Sequence, residues 1–170
     1  AAGAGNNVTL SGNRTIPDTL VFVSGTLTTG PDTLTLGPAC RVTGAGADRY
    51  VRGILARVVP TTLEAPLVFD IGDAAGYTPV EVAFGAVGTQ GTLIASTAVL
   101  DAAPPSGEPP LGSGISPYTY VRRLWRLANS DASPVAFDSC AATLHWLTAD
   151  VQGGGDPAGF VVAVDSNWTW

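Results

Sequence analysis

The sequence predicts an all-β protein: a two-sheet antiparallel β-sandwich, Ig-like or jelly-roll-like, with a short β-solenoid-like or meander layer at its N-terminal end. Three observations lead there. No segment sustains helical periodicity, whereas several alternate apolar and polar residues with a period of two, which marks a strand with one buried face. The 170 residues are rich in Val, Thr and Ala, with 21 glycines and 13 prolines among them, a composition suited to short strands joined by turns. A chain of this length buries roughly 70% of its unfolded surface, so a full core needs neither metal nor dense disulfides.

Residues 6–46 hold short strands of low charge: Val8 to Leu10, Leu20 to Val23, Thr26 to Thr28 and Thr33 to Leu36. Ser-Gly, Gly-Pro-Asp and Gly-Pro breaks separate them. SGTLTTG and DTLTLG form a weak repeat with a rung of fewer than about ten residues, which suits a few solenoid-like turns or a meander of edge strands. So few rungs must lie against something, either the following sandwich or a neighbouring copy. Residues 1–46 are therefore expected to form an N-terminal short-strand layer, packed on or swapped with a sandwich of residues 47–170. Gly44 to Asp48 marks the hinge; it lacks the third Gly, the Lys and the following helix of a phosphate loop and reads as a turn.

Residues 50–84 organise the rest. Val51 to Val59 form one strand broken by Gly53, Leu67 to Ile71 a second and Val80 to Phe84 a third. Gly72 to Gly76 has the length of a hairpin loop, and Pro79 stands at the mouth of the third strand, where a missing N–H is tolerated. Gly85 to Gly91 reads as a turn. Thr92 to Leu100 follow as a strand with Leu93, Ala95, Thr97 and Val99 on one side. Residues 101–117 carry five prolines and read as a long surface loop, partly polyproline II. In the strand 118–127, Thr119, Val121, Arg123, Trp125 and Leu127 form the core side, while Tyr118, Tyr120, Arg122, Leu124 and Arg126 share the other. Residues 141–147 and 160–164 complete the strands, and Trp168-Thr169-Trp170 reads as a further strand or as an element reaching into an adjoining molecule.

Several of these patterns resemble modules that recur in large surface and secreted proteins of the Bacteroidetes type, exported by the type IX route. Tyr50-Val51-Arg52-Gly53, Arg57-Val58-Val59, Phe69-Asp70-Ile71-Gly72, Tyr77-Thr78-Pro79-Val80 and Trp125-Arg126-Leu127 carry the resemblance. Asp70 stands where such modules more often have Pro. The resemblance implies an extracellular or cell-surface location and carries over no functional residue.

The formal charge of −6 argues against nucleic acid or an anionic membrane as partner, since both require a basic face. No apolar run approaches the ~18 residues of a membrane span. Ala1 to Gly5 lack the basic and apolar regions of a signal peptide and fit either a mature N-terminus or a module boundary. Cys40 and Cys140 are the only cysteines. They read either as a disulfide, which would contribute roughly 4–5 kcal/mol by closing a long loop, or as two buried free thiols. Asn7, Asn13 and Asn167 each begin an Asn-x-Thr sequon, compatible with export.

Catalytic chemistry is not legible. His145, the sole histidine, has no nucleophile elbow to serve. Asp150 and Asp156 around three glycines offer too few oxygens for a calcium loop. Asp70, Asp73 and Glu81 make a weaker group, and none of Glu64, Glu81 and Glu108 stands in a sugar cleft. The expectation is a structural extracellular protein without enzymatic activity, cofactor or metal. It would act as a self-assembling surface module or filament subunit, joined by strand–strand contacts to copies of itself or to neighbouring modules of the same chain. Val8, Leu10, Trp168 and Trp170 are the assembly candidates. The alternative is an adhesive or carbohydrate-binding module using Tyr118, Tyr120 and Arg122.

Overall fold

The computed structural model describes residues 6–100 and 119–160. The strands are β1 (Val8–Thr9), β2 (Arg14–Ile16), β3 (Thr19–Val21), β4 (Leu27–Leu36), β5 (Arg41–Thr43), β6 (Val51–Val59), β7 (Leu67–Phe69), β8 (Ile71–Gly72), β9 (Val80–Phe84), β10 (Val87–Thr89), β11 (Gly91–Val99), β12 (Arg123–Asn129), β13 (Ala136–Phe137) and β14 (Cys140–Leu144). Among the described residues the protein is all-β, with two short 3-10 turns, Thr148–Asp150 and Pro157–Gly159, and no α-helix.

The largest sheet runs β1-β4-β6-β11-β12, with β2 also on β4 and β8 also on β6. Its N-terminal half is a parallel, solenoid-like stack. Val8 pairs with Leu27, Leu27 with Val51 and Val51 with Ile71, all in parallel. Successive rungs start about twenty residues apart, a period that stacks neighbouring turns of chain over one core. On the other side of each turn, β3 pairs in parallel with β5. Side chains bracket the rungs: Asn7 Oδ1 accepts from Thr26 N–H at 3.0 Å, Asn13 Oδ1 from Thr33 N–H at 2.9 Å and Thr29 Oγ1 from Ile54 N–H at 2.8 Å. The last of these requires Gly53. Its φ is +130°, and a Cβ there would run into Thr29 Oγ1.

Apart from β8, the strands that follow β6 pair antiparallel. β6 pairs with β11 and β11 with β12, while β7, β9 and β14 form a second antiparallel sheet and β10 pairs with β13. One core joins these parts. Leu34, Leu36, Val51, Leu55 and Val59 of the stack meet Phe69, Val80 and Val82 of the second sheet and Leu93 and Ala95 of β11.

Several expectations are corrected. Pairing within residues 47–170 is not wholly antiparallel, since β6 runs parallel to β8, as it does to β4; alternation reveals which face of a strand is buried and nothing about strand direction. Gly30-Pro31-Asp32 does not end a strand; β4 runs through it, with an irregularity between Thr28 and Thr33 where its pairing with β6 shifts. The expected strand 67–71 divides at Asp70, so that β8 leaves β7 to pair with Val51 and Arg52. A tight turn at Asp73 to Gly76 then returns the chain. The strand expected at 118–127 lies at Arg123–Asn129, and that at 141–147 ends at Leu144. Residues 87–89 form a strand within the expected turn, and β2, β5 and β13 are additional. The strand expected at 160–164 falls, beyond Phe160, outside the described residues, as does the loop 101–117.

The Cys40–Cys140 disulfide is also corrected, since both thiols are free. Cys40 is buried in the turn between β4 and β5, where its carbonyl accepts from Arg57 Nη2 at 3.0 Å. Cys140 is exposed at the start of β14, opposite Phe84. Spacing in sequence could not show that one lies in the turn between β4 and β5 and the other on β14.

Candidate functional site

The N-terminal end of the rung stack is its least satisfied part. β4 lies against one side of β1 and β2, and among the described residues no strand lies against the other. Val8 N–H donates to Thr26 O and Leu10 N–H to Thr28 O, at 3.0 and 2.9 Å. In a parallel ladder this turns the main chain of Val8 and Leu10 toward β4 and the N–H and C=O of Thr9 toward the open edge. Gly37 N–H donates to Ile16 O at 2.9 Å, and by the same alternation Thr15 also faces outward.

The side chains show the same incompleteness. Val8 begins the column Val8, Leu27, Val51, Ile71. Val51 and Ile71 are fully buried, Leu27 packs against the core, and Val8 is 58% exposed. Across the mouth of the stack, Val21 and Val23 are 60% and 80% exposed. Between these walls lies a cavity of ≈ 380 Å³ bordered by Val8, Leu20, Phe22 and Leu27. Arg14 closes the neighbouring stretch differently. It sits in register with Leu34 and turns its guanidinium back to Asn13 O and Ser11 O at 3.0 and 3.5 Å. A polar side chain therefore covers part of the stack's end, and the Val8 part is left apolar. A solenoid end requires a polar outer face to stay soluble alone, and an open apolar edge invites pairing.

Of the assembly candidates, Val8 stands at this end and Leu10 packs partly against the core; Trp168 and Trp170 lie outside the described residues. Sequence reasoning missed Val21 and Val23 because alternation assigned neither to the same mouth as Val8. It missed Thr9 because the direction of a main-chain N–H depends on which side the partner strand occupies.

The alternative ligand face is only partly described, since Tyr118 lies outside. Tyr120 and Arg122 are half-buried. Their main chains tie to the turn beyond β14, with Gln152 N–H donating to Tyr120 O and Arg122 N–H to Asp150 O, both at 2.8 Å. These contacts make the segment a seam between β12 and residues 150–152. Asn7 and Asn13 of the sequons are exposed and act as the rung brackets described above; Asn167 lies outside the described residues.

The buried ionisable groups are held by hydrogen bonds to side chains or to the main chain, with Arg57 Nε left without a partner among the described residues. Arg123, buried on β12, donates to both carboxylate oxygens of Asp150 at 2.6 and 3.1 Å and to Asp73 Oδ2 at 3.0 Å. Burial works against the charge of Arg123, yet these bonds carry its pKa above the usual value. Arg57 donates to Val68 O at 2.6 Å as well as to Cys40 O, and burial lowers its pKa. Asp70 accepts from Tyr77 Oη at 2.6 Å, and burial raises the Asp70 carboxyl. His145 and Glu81 form an exposed pair at 3.2 Å. Asp150 thus serves Arg123, apart from the exposed Asp156, and among the described residues no three His, Cys, Asp or Glu side chains group as metal ligands.

Compared with protein families, with curated proteins and with solved structures, the chain finds no match in any of the three.

Proposed function

We propose that this protein is a structural module that assembles with copies of itself through strand–strand contacts, at the cell surface or outside the cell. Its body is taken as a two-sheet sandwich, the β7-β9-β14 sheet facing the β6-β11-β12 part of the large one, with the parallel rungs as an appended docking layer. The observation that carries the reading is the Val8 column. Val8 pairs with the partly buried Leu27, in line with the fully buried Val51 and Ile71, and is itself left 58% exposed where the stack ends. Burying such a side chain contributes about 1.5–3 kcal/mol, and the outward main chain of Thr9 supplies hydrogen-bonding groups for a further strand. An edge of this kind on one side of the molecule makes a heterologous contact, which propagates when it does not close. The extracellular placement rests on the resemblance of the Tyr50–Gly53 and Phe69–Gly72 motifs to exported surface modules.

Sedimentation velocity over a range of concentrations tests this reading. The wild-type chain is expected to shift to larger species as concentration rises. Val8→Arg, a substitution at an exposed position, is expected to remain monomeric with an unchanged melting temperature. A wild-type chain that stays monomeric throughout overturns the proposal.

A further inference from the structure

Resting on that reading, we propose that the element covering the open end is segment 161–170 of a neighbouring copy, laid antiparallel along the outer side of β1 and β2. The segment, VVAVDSNWTW, lies outside the described residues, and its sequence has the form such an edge requires. In an extended chain Val162, Val164, Ser166, Trp168 and Trp170 share one face, while Val161, Ala163, Asp165, Asn167 and Thr169 share the other. The first face is mostly apolar and carries both indoles; the second is polar from Asp165 onward.

Volume and charge fit together. The cavity behind Val8, ≈ 380 Å³, falls at the small end of the roughly 300–1,000 Å³ typical of ligand pockets, and its apolar border suits an aromatic side chain. Placed antiparallel with Trp170 beside Val8, the segment brings Trp168 beside Leu10. Its one charged residue, Asp165, then comes opposite Asn13 and one residue from the position opposite Arg14, whose guanidinium is the cation of this edge. A parallel placement would instead carry the indoles to β2, away from the cavity. Trp side chains bury about 150–250 Å² each, so two of them supply most of the apolar contact.

The test uses the full chain. Trp168→Ser/Trp170→Ser is expected to lose self-association, as Val8→Arg does, because one variant lacks the inserting face and the other the receiving edge. Mixed together, the two retain one intact edge and one intact segment. They are expected to form a one-to-one complex that grows no further. A synthetic peptide of residues 161–170 is expected to dissociate wild-type assemblies, and the same peptide with both Trp replaced by Ser is not. The peptide result stands even where the double variant folds poorly. Wild-type association that survives both the Trp substitutions and the peptide, yet is lost in Val8→Arg, overturns the role of segment 161–170 and leaves edge assembly intact. A wild-type chain that never associates removes both.

Discussion

Arg123 of β12 holds Asp150 with two hydrogen bonds, Nε to Oδ2 at 2.6 Å and Nη2 to Oδ1 at 3.1 Å. The same guanidinium reaches Asp73 Oδ2 and Thr97 Oγ1 at 3.0 and 3.2 Å. One buried cation thereby joins the turn after β8, the strand β11 and the 3-10 turn after β14, which lie far apart in sequence. Removing one member of a buried ion pair leaves the others uncompensated and costs roughly 3–5 kcal/mol. Arg123→Met is expected to lose that much in urea unfolding, with both carboxylates left in place. Replacing Arg123, Asp73 and Asp150 together by apolar residues is expected to cost less than the single change.

Asp73 gives this network a dependence on pH. Burial opposes ionisation, but hydrogen bonds from Ala75 N–H, Arg123 and Val99 N–H outweigh it and hold the carboxyl below its usual 3.8. A carboxylate depressed in the folded state contributes stability that is fully present above its unfolded pKa and lost as pH falls through its folded one. Asp70 acts with the opposite sign: burial raises it, so its contribution falls as pH rises through its folded value. Asp73→Asn is expected to destabilise most at neutral pH, and the difference from wild type in melting temperature should shrink as pH drops below about 4. Asp70→Asn is expected to compare more favourably with wild type at pH 7 than at pH 3.

The two thiols should behave as unlike single groups. Burial raises the Cys40 thiol, and Cys140 is exposed. A thiol reagent is expected to modify one cysteine per chain in native protein and two after denaturation, and reductant should leave the melting temperature unchanged. Two thiols unreactive until reduction would restore the disulfide.

How much of this was legible in the sequence depended on whether the signal was local. Val80–Phe84 and Gly91–Val99 announce themselves by alternation, since each has one face on the core and one outside. The N-terminal layer is solenoid-like as expected, but not through the weak repeat that suggested it: both halves of that repeat fall along β4, and the rungs themselves start about twenty residues apart. The parallel pairing of Leu27 with Val51 was not legible, because strand direction is set by the path between strands and leaves no mark on either. Arg123 was assigned correctly to the inward side of its strand, but its partners Asp73 and Asp150 lie 50 and 27 residues away and nothing in the local pattern points to them. The open end was half legible. Val8 stands among the assembly candidates read from the sequence, but only its place in a column of buried side chains shows what is missing beside it.

The most direct measurement is the hydrogen-exchange rate of the Thr9 amide, followed against protein concentration. In dilute protein Thr9 is expected to exchange quickly while Val8 and Leu10, bonded to Thr26 and Thr28, are protected. As concentration rises, Thr9 should become protected as well. A Thr9 amide that exchanges equally fast at every concentration would contradict strand pairing at this edge.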